Sequence, residues 1–407
     1  MKYSSSFRFL WLGQSFANLG DVLYIVALIT MIYQLTGSAT YMALIPFFVT
    51  VSQFISGMLA PLVIDRFSLR GILAYSQTGK AILLCLLAML VVFYFPEFNI
   101  ALVFMIVFFI SFLDGWATPV RNAMIPRLVA KDDLVHANSF LSILDQTIRL
   151  GGWSMGGMLL VLLGSDQVVF LTVGLYVMAS FLMFFIKERD ISVGEILEET
   201  APSKTNWTKV REGWLFIWRA PAVRTLTVMS VIEALASAVW VAAIVYIFVE
   251  EVLKVGEQWW GYINASFFLG LIIGGMMSLR GSKLLNQRLP SVIVWGTFST
   301  SLLTFLFALN MLTWMALFLS LVIGLTEQIK GIAHQTTIQK SVNDHQLPKV
   351  YSAQYALELL TFGVSVLLLG VLTDMWGVRM AFILASCFLF LSFSFSILNQ
   401  KHLKGAN

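Results

Sequence analysis

The stretch FANLGDVLYIVALIT, Phe16 to Thr30, contains one charge, Asp21, and the apolar run around it extends from Trp11 to Tyr33. An ionisable side chain in hydrocarbon costs roughly 2.5–3.5 kcal/mol on insertion scales, so it is rarely idle. Further charges interrupt other long apolar runs: Lys80, Asp114, Asp145, Arg149, Glu233, Glu327, Lys330 and Glu358. Carboxylates so placed can hold a proton or a cationic or polar group, the two in competition. Asp145 and Arg149, four residues apart, share one side of a helix and can pair, which is the cheapest way to keep either charge there. Asp21 has two readings: it handles a proton or a ligand, or it joins Arg149 in a permanently ionised network. Trp153 and Trp240 are the aromatic material inside apolar runs. They either pack, as most do, or make room for a large amphipathic ligand near Asp21.

These residues require elements that cross a membrane. Of the 407 residues 58% are hydrophobic and 12% charged, about half the charge fraction of a soluble chain. The apolar runs, each needing ~20 residues, predict spans at 9–34, 41–64, 72–95, 100–120, 138–163 and 167–186. Six more follow at 224–249, 258–279, 290–309, 312–333, 350–373 and 377–398. The expected fold class is an all-α membrane protein of twelve transmembrane helices. Its domains are an N-terminal six-helix bundle (1–186), a linker with a short interfacial helix (187–223), and a C-terminal six-helix bundle (224–407). Basic residues cluster in the turns on one side, including Arg66, Arg70, Arg121, Arg127, Arg280, Lys283 and the linker, with only Lys254 and Arg379 opposite. The positive-inside asymmetry therefore places both termini and the linker in the cytoplasm.

The halves are copies. A shift of 213 residues superposes Gly57 on Gly270, Gly157 on Gly370 and Gly164 on Gly377, and lays IPRLVAKDDL (125–134) over IQKSVNDHQL (338–347). It also carries Asp114 onto Glu327 and Asp145 onto Glu358, and puts Asp21 one residue from Glu233. Each half thus bears a carboxylate on its first, fourth and fifth helix. Two halves starting on the same side are parallel repeats, with a binding site expected at midplane.

The stretches GDVLYIVALITMIYQLTGSA, GMLAPLVIDRFSLR, PVRNAMIPRLVAKDDLVHANS and GGWSMGGMLLVLLG carry a resemblance over nearly the whole chain. Together they resemble major facilitator exporters, specifically the bacterial subgroup of macrolide-efflux and enterobactin-export proteins. Pro61 stands where the family loop Gly-x-x-x-Asp-Arg has its glycine, and Trp153 where the exporter signature on helix five has proline. The resemblance implies a cytoplasmic gate at Asp65, Arg66 and Arg70, which Asp114 would meet, with Glu327 and Lys330 beside the corresponding loop of the second half. Gly152, Gly156 and Gly157 suit close sliding of helices at a gating seam, or equally a static packing face.

The expected function is secondary active transport, proton-coupled efflux of amphipathic small molecules such as drugs, macrolides or siderophores across the bacterial cytoplasmic membrane. Lipid, lysolipid or nutrient movement by the same fold, or a non-transporting membrane sensor, are the alternatives. Partners are then the substrate, protons and the bilayer, with no cofactor and no metal. The dispersed net charge of +4 does not call for nucleic acid. No ATP-binding or hydrolase motif is present, and the histidines, His136, His334, His345 and His402, lie at or near one face, so an enzyme is not expected.

Overall fold

A segment crossing hydrocarbon must satisfy its backbone internally, and the chain does this with helices throughout. The computed structural model describes residues 4–36, 39–94, 100–187, 206–240 and 242–404, and among them there is no strand. The first half forms α1 (Ser5–Thr36), α2 (Ala39–Ile64), α3 (Leu69–Tyr94), α4 (Ile100–Leu128), α5 (Leu134–Leu163) and α6 (Ser165–Phe184). Then comes α7 (Asn206–Arg219), where the linker was expected to hold a short helix; linker residues 188–205 lie outside the described residues. The second half forms α8 (Pro221–Ser237), α9 (Gln258–Arg280), α10 (Leu289–Leu309), α11 (Thr313–Ser341), α12 (Leu347–Trp376) and α13 (Val378–Leu398).

Among the described residues, 11 helices are long and apolar enough to cross a membrane. α5, expected as a further span, is long enough at 30 residues but is not among these 11, since its first half carries His136, Asn138, Asp145, Gln146 and Arg149. Large apolar side chains such as Leu367, Trp314 and Leu398 stay exposed, as lipid-facing positions require. The chain is a multi-pass membrane protein.

Two boundaries differ from the sequence reading. α4 runs on to Leu128 through Pro119 and Pro126, because Ala123, Met124 and Ile125 beyond the first proline are buried and packing holds the helix. The span expected at 224–249 is not one helix: after Ser237 it tightens into a 3-10 turn, Ala238–Trp240, followed by Ala242–Ile247 and a wide turn, Phe248–Leu253. The break coincides with the Trp240 ring, lodged 5.1–5.7 Å from the rings of Phe267, Phe307 and Phe382.

Helix pairing follows the repeat. In the first half α1 packs on α6, α2 on α4, and α3 on both α4 and α6; in the second α8 packs on α13, α9 on α11, and α10 on both α11 and α13. The glycines superposed by the shift share a backbone conformation too. Gly164 and Gly377, at the starts of α6 and α13, both have φ 83 and ψ 159, a region open essentially to glycine alone.

The chain forms two compact units: residues 1–130, 148–215 and 344–356, and residues 131–147, 216–343 and 357–407. Each is built mainly on one repeat and takes in a segment of the other. In the first unit the start of α12 is held by Arg127, which donates to the Asp344 carbonyl at 2.9 Å, and by Tyr355, which donates to Gln53 at 3.1 Å. In the second, the start of α5 is held by Asn138, which donates to Thr336 at 2.9 Å and to Gln339 at 2.7 Å.

Close packing within the units uses small residues. A Cβ on Gly270 of α9 would lie 2.0 Å from the Leu321 carbonyl oxygen, and one on Gly324 of α11 would lie 2.2 Å from that of Phe267. Serines staple the same pairs: Ser320 donates to the Ile263 carbonyl at 2.9 Å, Ser266 to that of Leu317 at 2.7 Å, and Ser52 of α2 to that of Phe108 at 2.5 Å. Gly152 and Gly156 of α5 leave similar room for Val22 and Val26 of α1, whereas a Cβ on Gly157 would meet nothing within 4 Å.

This contrast yields a prediction. Gly270→Ala must push α9 from α11 and should cost about 1–3 kcal/mol, typical of overpacking, read as a lower melting temperature of the purified protein. Gly157→Ala should leave the melting temperature unchanged, and equal melting of the two variants would refute the packing account.

Candidate functional site

Lys80 of α3 is fully buried, so its ammonium must find compensation inside the protein. It finds two carboxylates from two other helices. Its Nζ lies 2.5 Å from Asp21 Oδ1 on α1 and 2.7 Å from Asp114 Oδ1 on α4. α6 adds the fully buried Tyr176, whose hydroxyl donates to Asp21 Oδ1 at 2.7 Å while its ring lies 4.5 Å from the ammonium. Gly20, just before Asp21, makes space for this ring: a Cβ there would approach Tyr176 to 2.8 Å. Tyr24, one turn beyond Asp21, is buried with its hydroxyl unpartnered. With every group ionised the cluster is one negative charge in excess. It has capacity for one added proton without leaving a net positive charge in the membrane.

The second unit repeats the theme with different parts. Lys330 Nζ of α11 lies 2.8 Å from Glu233 Oε2 on α8 and 2.8 Å from Glu327 Oε2 on its own helix. Glu233 Oε1 accepts from Ser392 at 3.0 Å and from Thr297 at 3.4 Å. The carboxylates follow the repeat, but the cations do not. The position equivalent to Lys80 is Ile293, and that equivalent to Lys330 is Ala117.

A third lysine sits at the ends of helices in the first unit. Lys349, in the first turn of α12, lies 2.7 Å from Asp65 Oδ1, just past α2, and 2.6 Å from Glu212 Oε2 on α7. It too is buried, at 2% exposure, so the pairs are shielded from the screening that makes surface ion pairs weak.

The candidate residues are therefore regrouped. Asp114 meets Lys80 and Asp21 inside the bundle, not the turn holding Arg66 and Arg70, and Asp21 pairs with Lys80 rather than Arg149. Glu327 meets Lys330 rather than Arg280 or Lys283. Arg66 is exposed, and Arg70 donates to the Ile186 carbonyl at 3.3 Å, tying α3 to the end of α6. Asp145 is half-buried and Arg149 exposed, one turn apart on α5. Trp153 is exposed, and Trp240 belongs to the aromatic nest described above. Glu358 is half-buried on α12. Sequence reasoning gave no role to Lys80, Tyr176, Glu212 or Lys349. Lys80 was visible as a charge in a span, but its lack of a repeat counterpart hid its part. No group of residues suited to a metal ion occurs among the described residues.

Comparison with known proteins agrees with this architecture. The family model described as Major Facilitator Superfamily matches residues 10–345. The uncharacterized MFS-type transporters YfmI and YjbB of Bacillus subtilis (strain 168) are each 29% identical to this chain; the matches cover 96% of it and 95% of each relative. Among solved structures, the E. coli fucose:proton symporter FucP superposes with a TM-score of 0.76 at 15% identity, covering 98% of this chain and 99% of that one. At that identity the likeness is one of fold.

The buried cluster carries its own test. Lys80→Met leaves two uncompensated carboxylates and should destabilise by about 3–5 kcal/mol, as breaking one side of a buried pair does. Adding Asp21→Asn and Asp114→Asn to the same chain should restore most of the loss. Thermal unfolding in detergent reads both, and a stable single variant would show that Lys80 does not neutralise the acids.

Proposed function

Because the chain belongs to the Major Facilitator Superfamily, whose members here are transporters of the secondary type, we propose that it couples proton movement to efflux of amphipathic small molecules across the bacterial cytoplasmic membrane. The observation that carries the coupling is Lys80 held between Asp21 and Asp114. One ammonium serves two acids on two helices, so protonating either acid releases one of its links and leaves a neutral pair behind. A proton arriving at Asp21 frees α1 from α3, and one arriving at Asp114 frees α4 from α3. Binding of a proton is thereby converted into a change in which helices are tied together. Tyr176 holds Asp21 in position for this exchange, and the unpartnered Tyr24 hydroxyl, one turn away, is available to a carboxylate that has let go of the lysine.

Export of drug-, macrolide- or siderophore-like molecules is supported by the resemblance to that exporter subgroup and by the close approach of Gly152 and Gly156 of α5 to Val22 and Val26 of α1. Proton coupling has a parallel in a protein of the same fold that is a fucose:proton symporter. In this reading the termini and α7 are cytoplasmic, and Lys349, with Asp65 and Glu212, is the latch of the cytoplasmic gate.

Two outcomes are expected. In proteoliposomes screened with macrolides, siderophores and fluorescent dyes under a pH gradient, Asp21→Asn should lose gradient-driven transport by at least ~100-fold, equivalent to about 2.7 kcal/mol, while exchange of substrate without a gradient persists. Wild-type rates under the gradient would remove Asp21 from the proton path.

For the latch, Lys349→Gln should unseat α7, raising amide hydrogen exchange across Asn206–Arg219 by roughly tenfold for each 1.4 kcal/mol of docking lost. Unaltered exchange there would mean that the ion pairs do not hold the linker helix.

A further inference from the structure

The end of the second unit where α8 and α10 begin and α13 stops carries cations with no acid to answer them. α13 runs antiparallel to both neighbours: its Ser392 donates to Glu233 of α8 at 3.0 Å, and Ser301 of α10 donates to the Ser386 carbonyl at 2.9 Å. Following these registers to the helix ends brings Arg224 of α8, and Arg288 just before α10, to the level of Lys401. The short helix Gln400–Lys404 accordingly packs on both α8 and α10, with Leu403 fully buried. Arg224 also donates to the Trp218 carbonyl at 3.3 Å, which folds the corner between α7 and α8 and brings Arg219 into the group.

No acid occurs from Gly213 to Ile232, from Arg280 to Thr326, or from Met375 to Asn407. Arg219, Arg288 and Lys401 are exposed, and among the described residues none of these three or Arg224 is in an ion pair. The repeat does not share this feature: the shift of 213 puts Ser6, Trp11, Tyr75 and Glu188 at the corresponding positions. Arg280 and Lys283 lie apart from the group, beside the short helix Ser282–Gln287, which packs on the turn bearing Asp132 and Asp133.

An apolar stripe descends from the same cations. Trp295 lies two turns along α10 on the face of Arg288; it is 60% exposed and steadied by the rings of Phe298 and Phe393 at 5.9 and 6.3 Å. Leu302 and Leu309 follow at the same spacing, both exposed.

We propose that Arg224, Arg288 and Lys401, with Arg219 at the corner, form a binding site for the headgroup of an anionic phospholipid, one acyl chain lying along the Trp295 stripe of α10. A phosphodiester accepts from guanidinium groups two bonds at a time, and basic positions between the ends of membrane helices suit such headgroups. Tryptophan belongs at that boundary, where its ring spans the headgroup level. A soluble anion would satisfy the cations but has nothing to lay against Trp295 and Leu302. The site concerns the bilayer as ligand and does not depend on what the chain transports or on its coupling to protons.

The test uses the full chain in phosphatidylcholine bilayers containing graded amounts of brominated phosphatidylglycerol or, in parallel, brominated phosphatidylcholine. Bromine quenches tryptophan fluorescence on contact, and the difference between each chain and its Trp295→Phe counterpart isolates Trp295. Half-quenching should need at least ~5-fold less of the anionic lipid, roughly what one cation near a charged surface contributes, and high salt should narrow the gap. Arg224→Gln, Arg288→Gln and Lys401→Gln should each reduce this preference and together remove it. Quenching of the triple variant by brominated phosphatidylcholine should persist, which a misfolded chain would not show. The double variant Arg280→Gln, Lys283→Gln should keep the wild-type preference; an equal loss there would make the effect one of general surface charge and overturn the site. Equal quenching of the wild type by both lipids would overturn it too, as would relief of quenching by soluble glycerol phosphate at matched concentration, which would assign the cations to a soluble anion.

Discussion

A charge buried away from water is costly without a counter-charge, and in this chain buried lysines, each placed between two carboxylates, supply it. Lys80 bridges Asp21 and Asp114, Lys330 bridges Glu233 and Glu327, and Lys349 bridges Asp65 and Glu212. A one-to-one pair would be neutral and inert. Two acids per lysine leave one negative charge outstanding, which makes each cluster sensitive to any positive charge that reaches it. Much of the local sequence serves this arrangement. Gly20 is small because the Tyr176 ring lies against it, and Tyr176 is a tyrosine rather than a phenylalanine because Asp21 has a second lone pair to occupy.

Around these clusters the scaffold is a duplicated one, and duplication is clearest where the backbone has no freedom. Gly164 and Gly377 keep the same dihedral angles although little else in their neighbourhoods is identical, because no other residue type could turn the chain there. The pairing of α2 with α4, and of α9 with α11, is likewise kept by serines donating to carbonyls of the facing helix. Such bonds need only a small hydroxyl at the contact, so they survive divergence of the surrounding apolar residues.

The fold was legible in the sequence because apolar length and repeat register are both one-dimensional signals. The carboxylates were legible for the same reason: Asp114 and Glu327, or Asp21 and Glu233, recur at corresponding places. Their partners were not. Lys80 lies 59 residues from Asp21, and Lys349 is separated from Asp65 by most of the chain, so neither pairing has a local pattern. Depth along a helix misplaced Asp114 in particular. Its closeness in sequence to Arg121 implied a position at the helix end, but α4 continues to Leu128, which draws Asp114 inward to Lys80. The break after Ser237 was hidden by a run of apolar residues whose composition fits a helix as well as it fits the turns around Trp240.

The two repeats differ in which helix bears the cation. Lys330 and Glu327 are three residues apart on α11, so their pair is internal to one rigid rod, and only Glu233 of α8 is bound to that rod by charge. Lys80, Asp21 and Asp114 come from three separate helices, so in that cluster each ionic contact is also a joint between rods. The repeats are therefore alike in outline and unlike in stiffness. The first ties α1, α3 and α4 together by charge, whereas in the second charge ties α8 to α11 and α10 joins the cluster through a hydroxyl, that of Thr297 on Glu233.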